Sequence, residues 1–130
     1  MYRWVEHRSE IELLIEDDSP EAVLTEALVA LGDILSEARG GEPVTHEVEL
    51  SASDLPTLLA AWMKDLVYRA AADGFIPERV VRIELDDTTL SAVVAGERSV
   101  PQSLIKAVTY HRLELSRDDR TWHARVILDV

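Results

Sequence analysis

Ile105-Lys106-Ala107-Val108-Thr109-Tyr110-His111-Arg112-Leu113-Glu114-Leu115 reads as a β-strand, with side chains alternating between two faces. The odd positions, Ile105 to Leu115, are mostly apolar, and the even positions Lys106, Val108, Tyr110, Arg112 and Glu114 are mostly polar. Lys106, Thr109, Tyr110 and His111 crowd functional groups into a strand with a core-like face. By alternation, Thr109 and His111 lie on the face opposite Lys106. A second strand, Trp122–Val130, follows a polar turn at Arg117-Asp118-Asp119-Arg120. This closing hairpin carries the Asp129 side chain and the Val130 carboxylate to one spot.

Working back from the hairpin, the rest of the chain alternates or cycles in legible periods. Tyr2–Glu6 is a short strand. Glu10–Glu16 sets Ile11, Leu13 and Ile15 against Glu10, Glu12 and Glu16, which predicts a half-buried strand with its glutamates in solvent. Ser19 and Pro20 start a helix predicted over Pro20–Ala38, closed by Gly40-Gly41. Val44–Leu50 alternates again, with His46 on the apolar side as a satisfied core histidine. Ser53 or Asp54 caps a second helix, Asp54–Ala72, whose buried face is Leu55, Leu58, Leu59, Trp62, Met63 and Leu66. Strands follow at Arg79–Asp86, with Val81, Ile83 and Leu85 inward, and at Thr89–Ala95, and Gly96–Ser103 is a loop. The order β-β-α-β-α-β-β-β-β predicts an α+β fold: a mostly antiparallel sheet with two helices on one face, in a single domain over residues 1–130.

Composition narrows the function. The chain has 130 residues, a formal net charge of −12 and no cysteine. Disulfides, thiolate metal sites and cysteine nucleophiles are therefore excluded. The acidic charge repels phosphate, and the lysines and arginines are scattered along the sequence, so direct nucleic-acid binding is not expected. No apolar run approaches a membrane span, and the N-terminus does not read as a signal peptide. A cytoplasmic location is expected.

No Gly-rich phosphate loop and no nucleophile motif is present. His7, His46, His111 and His123 make no closely spaced pair, which gives zinc little support. Asp129 and the Val130 carboxylate suit a hard divalent cation, with Glu10 as a third carboxylate and His7 as a nitrogen donor if the early strand pairs with the last. The alternative is that these are solvated edge charges. Lys106 either snorkels at the sheet edge or faces an acidic site or partner.

Four stretches are similar to the archease family. Tyr2 to Ile11 resembles the family's opening Tyr-x-x-x-x-His-Thr-Ala-Asp-Ile, with Arg8 at its Thr and Glu10 at its Asp. Asp54-Leu55, Trp62, Asp65-Leu66 and Tyr68 resemble its helix motif. Lys106-Ala107-Val108-Thr109-Tyr110-His111 matches its central box, and Ala124-Arg125-Val126-Ile127-Leu128-Asp129-Val130 its ending. The resemblance implies an SHS2-like fold in a small non-enzymatic protein of tRNA splicing and RNA repair. It would activate a GTP-dependent RNA-splicing ligase by promoting guanylylation and multiple turnover. It further implies a divalent cation, calcium foremost with magnesium or manganese as alternatives, on Glu10, Asp129 and Val130, and a functional Lys106. A general acidic chaperone or interaction module is the other reading.

Overall fold

The computed structural model describes residues 1–36, 40–103 and 105–130. Among these, the chain forms β1 (Tyr2–Glu6), β2 (Glu10–Asp17), α1 (Pro20–Leu35), β3 (Glu42–Ser51), α2 (Leu55–Asp73), β4 (Phe75–Asp86), β5 (Thr89–Arg98), β6 (Ala107–Asp118) and β7 (Thr121–Asp129). The order is the expected one, and so is the α+β class with antiparallel strands. The strands divide into two sheets, β1-β2-β7-β6 and β3-β5-β4. No described helix is long and apolar enough to cross a membrane.

Local chemistry sets the helix ends. Ser19 Oγ accepts from Ala22 N at 3.1 Å to start α1, and Asp54 Oδ1 accepts from Thr57 N at 2.8 Å to start α2. Gly74, at φ 69°, closes α2 in the left-handed conformation. Helix α1 spans Pro20–Leu35 with Ser36 as its cap; the expected end at Ala38 falls in residues 37–39, which lie outside the described set, as does Leu104. Trp62 is fully buried and donates from Nε1 to Leu24 O at 2.9 Å, tying the two helices together. One hydrophobic cluster joins both helices to the inner faces of both sheets, through residues such as Leu13, Val126 and Leu128 of one and Val48, Ala92 and Val94 of the other.

Two alternations break where strands bulge. In β4, which begins at Phe75, the register slips between Pro77 and Arg79 and again between Val80 and Arg82. Val81 is thereby turned out to 52 % exposure, while Val80, Ile83 and Leu85 pack on the core. In β6, Ala107, Val108 and Thr109 face Asp129, Leu128 and Ile127, whereas Glu114 and Leu115 face Arg125 and Ala124. Tyr110–Leu113 thus stand against Val126 alone. Three extra residues is an odd number, so the inward face changes parity: Val108 is buried before the bulge and Leu115 after it. Arg112, at φ 56°, carries the sharpest part of the detour. The strand therefore has no single apolar face of odd residues; Ala107 and His111 are exposed.

Candidate functional site

On the outer face of the β1-β2-β7-β6 sheet the register brings Glu10 and Asp129 together. Glu10 of β2 lies directly opposite Asp129 of β7, and Asp129 lies opposite Ala107 of β6. Lys106 N–H donates to Asp129 O at 2.8 Å, and Val130 N–H donates to Ser9 O at 3.2 Å. The neighbouring pair, Ile11 and Leu128, points into the core, so Glu10 and Asp129 share the opposite face. Both are partly exposed, and neither side chain has an ion-pair or hydrogen-bond partner among the described residues. Like charges directly opposite in a sheet repel, so a cation between them would be stabilising.

That pair fits a hard cation in charge and donor type, but it is only a pair. The described residues contain no cluster of three or more His, Asp or Glu side chains suited to a metal. The Val130 carboxylate and the backbone can supply further protein oxygens. His7 precedes β2 and is engaged elsewhere: its Nε2 lies 3.2 Å from Glu12 Oε1. Lys106 is exposed at the entrance to β6.

Glu12 is on the face alternation gave it but is buried there rather than solvated. It sits on the same face as Glu10, one step further along β2, yet it is only 6 % exposed. Ile127 lies opposite Glu12, and Thr109 lies opposite Ile127 with its hydroxyl buried and unpartnered. Arg125 brings Nε to 2.6 Å from Glu12 Oε2, a close ionic contact without an aligned N–H, and its Nη1 donates to Glu114 Oε2 at 3.3 Å. Burial pushes the Glu12 carboxyl up, but the His7 hydrogen bond and the Arg125 and Arg112 charges outweigh it and hold the carboxyl below its ordinary value. Glu12 is thus a committed anion, neutralised by the chain itself. The only sequence signal was a second glutamate, two residues after Glu10, in a strand that pairs with an arginine-bearing one.

Beyond Arg125, the same face opens into a groove of about 560 Å³ lined by Arg3, Leu14, Glu16, Glu114 and His123. On the other sheet, His46 is half-buried with its ring edge-on to Phe75, centroids 4.7 Å apart, but its Nε2 is buried without a hydrogen-bond partner. Burial, then the Arg69 charge, pulls its pKa down. It is a packed core histidine rather than a satisfied one.

Residues 2–130 match the model of the archease protein family (MTH1598/TM1083). This chain belongs to the archease family. A protein archease of Methanosarcina mazei is 31 % identical over 140 residues, covering 99 % of this chain and 95 % of the relative. That of Methanopyrus kandleri is 30 % identical over 135 residues, covering 97 % and 96 %. The archease fold is equally plain. The solution structure of Methanobacterium thermoautotrophicum protein 1598 superposes with a TM-score of 0.76 at 21 % identity, covering 99 % of this chain and 98 % of that one. The crystal structure of a Thermotoga maritima archease, described as a possible chaperone, gives 0.71 at 23 % identity, covering 100 % and 98 %.

Proposed function

We propose that this archease-family protein is a non-enzymatic activator of a GTP-dependent RNA-splicing ligase, working in the cytoplasm in tRNA splicing and RNA repair. The observation that supports it best is the shared row of Glu10, Asp129 and the Lys106 backbone, which joins three of the chain's four family-like stretches at one sheet corner. Glu10, Asp129 and the Val130 carboxylate would hold a divalent cation, calcium foremost, which would supply concentrated positive charge for phosphate groups. Lys106, exposed and tied to Asp129 through its backbone, would meet a phosphate or a carboxylate of the ligase. Glu12 and Arg125 flank the row without entering it, since their charges already offset each other.

Reconstitution with the cognate ligase tests this. Catalytic amounts of the protein are expected to speed formation of the ligase–GMP adduct and to sustain repeated rounds. Asp129→Ala or Lys106→Ala should abolish the effect. An unchanged adduct rate with the wild-type protein would sink the reading. The possible-chaperone description of the Thermotoga maritima structure favours a second reading, an acidic module that protects several basic proteins. It predicts salt-sensitive binding to many partners and indifference to Asp129→Ala.

A further inference from the structure

We infer that the exposed stripe of α2, together with the β6 bulge, is the surface by which this protein docks on its protein partner. The inference rests on the ligase reading above and names the face that makes the contact.

Three side chains form the patch. Tyr68 is 70 % exposed and Tyr110 is 56 % exposed, the two most exposed aromatic residues of the described chain. Lys64 lies between them. It is one helical turn before Tyr68 on α2, where i and i+4 side chains are neighbours. Its Nζ sits 4.1 Å from the Tyr110 ring centroid and contacts the Tyr110 hydroxyl. Ala71 and Ala72 continue the exposed stripe toward the helix end. The bulge matters here. An unbroken β6 would have no detour to bring Tyr110 onto Lys64; the three extra residues supply it.

Charge picks the occupant. The chain carries −12, yet no Asp or Glu occurs between Glu97 and Glu114. The two lysines of the chain, Lys64 and Lys106, both meet this acid-free stretch. A nucleic-acid strand carries a phosphate at every step and would be repelled by the acidic remainder of the surface. A folded protein touches the patch alone. Exposed tyrosines beside a fixed cation fit a partner surface that presents Asp or Glu next to an apolar recess for the Tyr68 ring. Holding Lys64 on Tyr110 before contact lowers the ordering cost of binding.

The test is the affinity of the organism's own GTP-dependent RNA ligase for the full-length protein, measured by biolayer interferometry, with Tm recorded for every variant. Lys64→Glu with Tyr68→Ser is expected to weaken binding at least tenfold at unchanged Tm, and Lys64→Arg with Tyr68→Phe to restore it. Wild-type affinity for the double variant, with ligase–GMP formation still accelerated, would overturn the docking face and leave the activator reading intact. A wild-type protein that neither binds nor accelerates the ligase would remove both. A fluorescein-labelled single-stranded RNA bound by wild type and released by the double variant would reassign the patch to RNA and overturn the inference.

Discussion

Glu12 shows how much one buried charge can decide. Its carboxylate is neutralised by Arg125 at 2.6 Å and hydrogen-bonded by His7, in a place with almost no solvent. Removing one partner of a buried pair strands the other, at a typical cost of about 3–5 kcal/mol. Arg125→Ala should therefore lower stability toward that order in urea unfolding, Glu12→Ala by less because Arg125 is part-exposed and keeps Glu114 at 3.3 Å, and the double replacement by well-packed Leu and Met should recover much of it. The pH dependence follows from the lowered carboxyl. Above its ordinary value of 4.5 the Glu12 contribution is fully present, and it is lost as pH falls through the lower folded-state value. Tyr2 acts at the other end of the scale. Its hydroxyl donates to Asp33 Oδ2 at 2.5 Å; that hydrogen bond, with burial and the Asp33 and Glu26 charges, pushes the phenol up to about 12. The folded state favours the neutral phenol, so this stability is present below pH 10 and lost as pH rises toward 12. Tyr2→Phe should flatten the alkaline limb of a Tm-versus-pH curve between those values.

At the scale of elements, the close approach of α1 to β4 depends on a missing side chain. A Cβ on Gly32 would stand 2.0 Å from the Pro77 carbonyl oxygen, a backbone atom that cannot swing aside. Alanine would add about 1 kcal/mol of helix propensity, but overpacking of a tight interior typically costs about 1–3 kcal/mol. Gly32→Ala should therefore lower Tm by several degrees, and Gly32→Val by more. Opposing bulges shape the sheets as well. Those in β4 turn Val81 outward, and that in β6 moves Tyr110 onto α2. Neither is visible in residue types, because alternation by twos looks the same whether or not an odd insertion resets it.

For the whole molecule, the meeting of β2 with β7 matters most, since it sets residues from opposite ends of the chain face to face. Glu10 and Asp129 repel unless a cation lies between them. Millimolar calcium should raise Tm in a differential scanning fluorimetry titration, following the logarithmic dependence of ligand linkage. Asp129→Ala should abolish the rise while itself removing a repulsion in the metal-free protein. A Tm indifferent to calcium, magnesium and manganese would remove the cation from the proposed function.

The amino-acid sequence by itself determined the element order, the antiparallel α+β class, both helix starts and most of the core. Those are local properties: alternation, a 3.6-residue period, and caps that lie within a turn of the groups they satisfy. Its archease-like stretches also pointed to Glu10, Asp129 and Lys106 together. Only the tertiary structure decided that the strands form two sheets, that Glu10 faces Asp129, that Glu12 is buried against Arg125, and that Lys64 lies on Tyr110. Each of these is a contact between residues distant in the chain, and an odd bulge or a remote strand pairing leaves no periodic trace in the segment that carries it.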